Sequence, residues 1–148
     1  MKTRKLTRLT AVAMGFMLVA TAFAWVPKKD IKAERDGATK FKLTGTNTNG
    51  KLDVKIEDKH LFQGFKGEGT NGEKKVTLEI KSAGLGAGWK IEGKIGDEVI
   101  DLRSQQQGAL SKEWKVTGKV GERKIDETID GDWDVDPAIV STLVAFDY

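Results

Sequence analysis

Four aspartates at alternate positions, Asp130, Asp132, Asp134 and Asp136 in DGDWDVD, are the densest set of oxygen donors in the sequence. In an extended segment their carboxylates share one side at intervals of roughly 7 Å, twice the rise of a strand. Such crowding of like charge calls for solvent or a bridging cation, and hard Ca²⁺ takes oxygen ligands of this kind. The stretch lacks the glycine and distant glutamate of an EF-hand, and Asp136 also stands where a helix N-cap would. A solvated acidic turn is therefore the other reading, and calcium is the one cofactor the sequence suggests.

Glu127 is the second candidate. In three earlier stretches of the same pattern the equivalent place holds Ile56, Leu78 or Leu102, whereas here it holds a carboxylate expected to face Val116 on the inward side. A buried carboxylate is costly unless it is paired or protonated. Glu127 is thus either a rim residue with access to water or the polar anchor of an apolar ligand pocket, with Trp89, Trp114 and Trp133 supplying the apolar walls.

Other chemistry finds little support. His60 is the sole histidine and sits in a loop, so no histidine pair can build a metal site, and there is no cysteine. Ser82, Ser104, Ser111 and Ser141 lie outside any G-x-S-x-G context. GLGAGW from Gly84 leads into an expected strand at Trp89, so the helix N-terminus that would hold a phosphate is missing. A non-enzymatic protein is expected, an enzyme working by carboxylates alone being the weakest alternative.

The elements that position these residues come from an internal repeat. Phe41, Phe65, Trp89 and Trp114 are each followed by Lys (Lys42, Lys66, Lys90, Lys115) and, at the fourth position, by Gly (Gly45, Gly69, Gly93, Gly118). A second glycine follows at Gly50, Gly72, Gly96 and Gly121, within dipeptides that favour hairpin turns. Beyond it apolar residues alternate with charged ones, as in Leu52, Val54 and Ile56, the mark of a strand with one buried face.

Each unit reads as a β-hairpin. The fold class is all-β or α+β, with about eight antiparallel strands as four tandem hairpins in a meander, forming a curled sheet or small barrel. Turns at Asn49-Gly50, Gly72-Glu73, Gly96-Asp97 and Gly121-Glu122 set the expected registers: Gly45 with Val54, Gly69 with Val76, Gly93 with Ile100, Gly118 with Ile125. The repeated Lys points outward with no duty beyond solubility. Asp136 and Pro137 suit the start of a short C-terminal helix at about 137–146, which would plug or cover the apolar face.

Residues 1–24 read as a signal peptide, with Lys2, Arg4, Lys5 and Arg8 ahead of an apolar stretch ending in Ala22-Phe23-Ala24. An uncleaved anchor is the alternative, since the uncharged run from Leu9 to Val26 can just span a bilayer. Both readings put the domain outside the cytoplasm, secreted or in the cell envelope. Residues 25–40 are expected to be an exposed lead-in and residues 41–148 a single domain.

Of 25 basic and 22 acidic residues, four basic ones belong to the leader, which leaves 21 against 22. The basic character therefore belongs to the leader, and nucleic acid is not an expected partner. The charged outward faces also argue against a transmembrane barrel. The expected partner is a small apolar or amphipathic ligand held on the inner face. The alternative is an envelope component met by the outer face of a structural or adhesive protein with a solid core.

Overall fold

Period-two alternation produces a meander that is one strand longer than expected. The computed structural model describes residues 24–59, 63–84, 86–130 and 134–148. Among the described residues nine antiparallel strands run in order: β1 (Asp30–Arg35), β2 (Lys40–Asn47), β3 (Gly50–Asp58), β4 (Phe65–Asn71), β5 (Lys74–Ser82), β6 (Trp89–Ile95), β7 (Glu98–Gln106), β8 (Glu113–Val120) and β9 (Arg123–Asp130). Each pairs with its neighbours in sequence, and the sheet curls into a half-barrel with one short helix, α1 (Pro137–Val144). No described helix is long and apolar enough to cross a membrane.

The expected lead-in is corrected here. Residues 30–35 form β1 against β2, with Ile31 opposite Gly45. Trp25 and Ile31 are buried, because a curled sheet offers its first strand an apolar face to cover. A segment so rich in charge gives little alternation to read, so the strand was invisible to periodicity.

Three of the four hairpin registers are as expected: Gly69 opposite Val76, Gly93 opposite Ile100 and Gly118 opposite Ile125. The first is shifted by two residues. Its loop is Thr48-Asn49, closed by Asn47 opposite Gly50, so that Gly45 faces Leu52 rather than Val54. The cause is the Asn47 side chain, whose Oδ1 accepts the Asn49 N–H at 3.0 Å and nucleates the turn one residue early. The repeat is thereby more regular than its glycines suggest. The turn begins seven residues after the aromatic in every unit, at Thr48, Gly72, Gly96 and Gly121.

The glycine within each even-numbered strand has a backbone reason. A Cβ on Gly45, Gly69, Gly93 or Gly118 would lie about 2 Å from a carbonyl oxygen of the preceding strand (Asp30, Asp53, Thr77 and Asp101 respectively). These glycines let adjacent backbones approach, as a tightly coiled sheet requires. The room they make is for a neighbouring main chain rather than for the bulky side chain opposite.

Inside the curl lies α1. Nine consecutive residues from Ala138 to Phe146 are each at most 2% exposed, so the helix is enclosed on all its faces. Its sequence is a poor intrinsic helix former, being rich in Val, Ile and Thr. Asp136 caps it by accepting the Ala138 N–H at 2.9 Å, and Pro137 occupies the first turn. The two buried hydroxyls satisfy themselves along the helix, Ser141 donating to the Pro137 carbonyl and Thr142 to that of Ala138. The helix ends two residues before the expected 146, in a tighter turn in which Phe146 N–H reaches the Leu143 carbonyl.

Candidate functional site

Trp89 and Glu127 fall in one inward row across four strands, Trp89, Ser104, Val116 and Glu127, each opposite the next. Trp114 sits on the same face of β8, opposite Ile129. Both tryptophans are half-buried against the core, and Glu127 is half-buried between Ile125 and Ile129, which are buried. Trp133 and Asp132 lie outside the described residues, as does His60.

The repeated aromatics form a band along this end of the inner face. Phe41 meets Phe65 edge-on at 5.9 Å between centroids, and Phe65 meets Trp89 at 5.8 Å. Under the row the interior is filled: Ser104 Oγ and Ser141 Oγ of α1 are 2.6 Å apart, both fully buried. A cavity beside Ile129 has a volume of about 40 Å³ and is lined by Ala24, Glu113, Thr128, Ile129 and Asp130. That holds a water or an ammonium group, far below the few hundred Å³ of an ordinary ligand site.

The aspartates diverge in role. Asp136 is committed to the helix N-terminus, Asp134 is exposed and Asp130 ends β9. Among the described residues no group of three or more acidic or histidine side chains is placed to share a metal ion. Asp136→Ala should therefore cost about 1 kcal/mol through the lost cap. Urea unfolding with and without millimolar calcium checks this: a calcium-dependent midpoint that the substitution abolishes would return Asp136 to a ligand set.

Two arrangements leave no local mark in the sequence. The first is on the outer face, where two adjoining grooves of about 570 and 820 Å³ share Lys66 and Glu68. Lys59, Glu79, Glu92 and Lys94 line the first, and Lys55, Glu57, Glu73 and Lys75 the second. Strand glycines Gly67, Gly69 and Gly93 form their floor. Three of the repeated lysines join surface ion pairs: Lys90 with Glu92 beside the first groove, and Lys42 with Asp36 and Lys115 with Asp126 away from both grooves. Lys59 Nζ bonds Glu79, and that contact holds the Glu79 carboxyl below its ordinary range. Such exposed pairs add little stability. The lysines and glutamates that line the grooves alternate in charge across β3 to β6.

The second is the seam between β1 and β9. Asp147 accepts the Trp25 indole N–H at 3.1 Å and the Lys28 and Lys29 backbone N–H groups at 2.8 and 2.9 Å. The Tyr148 hydroxyl accepts from the Asn49 and Asn71 amides, and its ring lies 3.7 Å under the Arg123 guanidinium. Burial, with the Glu98 charge next, raises the phenol above its ordinary pKa and keeps it neutral.

In three turns the N–H of the first loop residue donates to the preceding hairpin: Gly72 to Lys51, Gly96 to Lys75 and Gly121 to Val99. Thr48 has no preceding hairpin, and its N–H donates instead to the Tyr148 carbonyl at 2.8 Å. The end of the helical segment thus completes the ring of turns. Asn47, Asn49, Asn71 and Arg123 occupy turn positions in the repeat, and nothing local marks them as partners of residues 146–148. The chain matches no known protein family, no curated protein and no solved structure, so its function is to be read from this geometry alone.

Proposed function

We propose that this is an exported, non-enzymatic binding domain that works from its outer face, with a solid interior. The observation that carries this reading is the enclosed helix: Ile139, Leu143 and Phe146, all fully buried, occupy the space that an interior ligand would need. The outer grooves offer the alternative surface, with lysines and glutamates alternating over a floor of backbone. Such a surface suits an envelope component bearing both charged and hydroxyl groups, bound weakly and with strong dependence on salt.

The test is co-sedimentation of the purified domain with isolated cell envelopes of its host, paired with native mass spectrometry. Binding is expected to fall steeply between about 50 and 300 mM salt, over which the Debye length shortens from roughly 14 to 6 Å. Charge reversal at Lys66 and Lys94 should abolish it, while Glu127→Leu leaves it intact. A small apolar molecule that travels with the protein in native spectra, and is lost in Glu127→Leu, would overturn the reading in favour of an interior ligand site.

A further inference from the structure

The chain holds three asparagines, Asn47, Asn49 and Asn71, and each gives its side-chain amide to the segment that leaves α1. Asn47 Nδ2 donates to the Phe146 carbonyl at 3.0 Å, and the other two donate to the Tyr148 hydroxyl. Two of the three stand before glycine, at Asn49-Gly50 and Asn71-Gly72, the only such steps in the sequence. Asn-Gly is a reactive pair as well as a turn signal: with no glycine side chain in the way, the next backbone nitrogen reaches the asparagine Cγ. The two steps differ in their surroundings. Asn71 is fully buried at the end of β4, between Leu52 of β3 and Lys74 of β5, and the Gly72 N–H donates to the Lys51 carbonyl at 2.7 Å. Attack at that step requires neighbouring hairpins to part. Asn49 is half-buried in the two-residue loop of the first hairpin, with its amide held by the Tyr148 hydroxyl.

We infer that Asn49 is a site of spontaneous deamidation whose rate is governed by the Tyr148 clasp. With the clasp open, the Gly50 nitrogen gives up its proton and attacks Asn49 Cγ; ammonia leaves, carrying that proton, and a cyclic succinimide joins the two residues. One water then opens the ring, to aspartate by attack on the side-chain carbonyl or to isoaspartate by attack on the main-chain one. The sum is one water consumed and one ammonia released, with no oxidant and no cofactor. Either product replaces an amide that donates to Tyr148 by a carboxylate that only accepts. Isoaspartate also lengthens the main chain by one carbon where it packs most tightly, since a Cβ on Gly72 would overlap the Asn49 carbonyl. The clasp that slows the reaction is thus weakened by its product, and the change runs one way.

The experiment holds wild-type protein, Tyr148→Phe and Asn49→Gln folded at mildly alkaline pH beside wild type unfolded in urea, and follows deamidation at each step by peptide mapping. Unfolded wild type should react at similar rates at both steps. In the folded protein Asn49 should react at least about tenfold faster than Asn71, because opening one turn is easier than parting strands. Tyr148→Phe keeps the ring but removes the acceptor. It should speed Asn49 by about 2–10-fold, the span set by the net worth of one hydrogen bond, while Asn71 stays slow. Aged wild type should melt about 3–5 °C below fresh protein. Asn49→Gln, whose longer side chain closes a ring far more slowly, should keep its melting temperature over the same interval. Equal rates at the two steps in folded protein, or an Asn49 rate that Tyr148→Phe leaves unchanged, overturns the proposal. So does an Asn49 that stays intact in folded protein over the time that exhausts the unfolded chain. The contrast between the two steps needs no variant, so the test stands even where Tyr148→Phe fails to fold.

Discussion

Gly118→Ala is expected to leave little folded protein. The Cβ it adds would stand 2.1 Å from the Asp101 carbonyl oxygen and 3.0 Å from Leu102 Cα, both backbone atoms of β7. No rotamer change relieves such a contact, so β7 and β8 must separate where Gly118 pairs with Leu102. The glycine also has φ of +134°, a region where a side chain is strained whatever the space. We expect a loss of at least about 4 kcal/mol, which few substitutions reach and which consumes most of the stability of an ordinary domain. Gly67→Ala is the control, because its added Cβ would meet the Ile56 and Leu78 side chains at 3.1 to 3.3 Å and no backbone. Its loss should stay within about 1–3 kcal/mol, the ordinary range of overpacking. Denaturant midpoints and m-values for the pair decide the matter. Similar small losses in both would mean that the coiling of the sheet does not depend on the repeated glycine.

The second large effect is expected at Phe146. It is the largest of the fully buried side chains, and it lies where the helical segment leaves the interior for the seam. Truncation to Ala removes a ring's worth of apolar contact and leaves a cavity, costing about 3–5 kcal/mol. The backbone on either side would loosen with it, since the Phe146 carbonyl accepts the Asn47 amide at 3.0 Å and Asp147 clamps Trp25. Phe146→Ala should thus quench the protection of Trp25 from solvent, seen as a red-shifted tryptophan emission and faster exchange of the Lys28 and Lys29 amides. A helix that merely covered the sheet from outside would tolerate the change with a loss near 1 kcal/mol, and Trp25 would not respond.

How much of this was legible follows from how local each signal is. The hairpins could be read because a turn and its flanking strands lie within about twenty residues, and period-two alternation needs no knowledge of the rest of the chain. The N-cap at Asp136 was legible for the same reason, and so was the inward place of Glu127 opposite Val116. The first register went astray because Asn49-Gly50 carries a turn signal that the Asn47 side chain outcompetes. Strand β1 was missed because its partner face is created only once β2 has curled. The seam was out of reach altogether: Trp25 and Asp147 stand 122 positions apart, and no pattern in either neighbourhood names the other. The outer grooves had the same defect, their lysines and glutamates being ordinary solvated residues until the sheet bends beneath them.

The contrast between meander and seam also sets an order of events. Every strand pairing joins neighbours in sequence, so each hairpin closes over a short loop at small entropic cost and can form as soon as it is available. The contacts of Asp147 and Tyr148 with residues 25 to 49 bridge nearly the whole domain and cannot exist until residues 146–148 are delivered. A chain threaded from its first residue therefore zips its sheet progressively but holds an unfilled apolar curl until the last. Its vulnerable interval, when aggregation and proteolysis compete with folding, is the time taken for the plug to arrive.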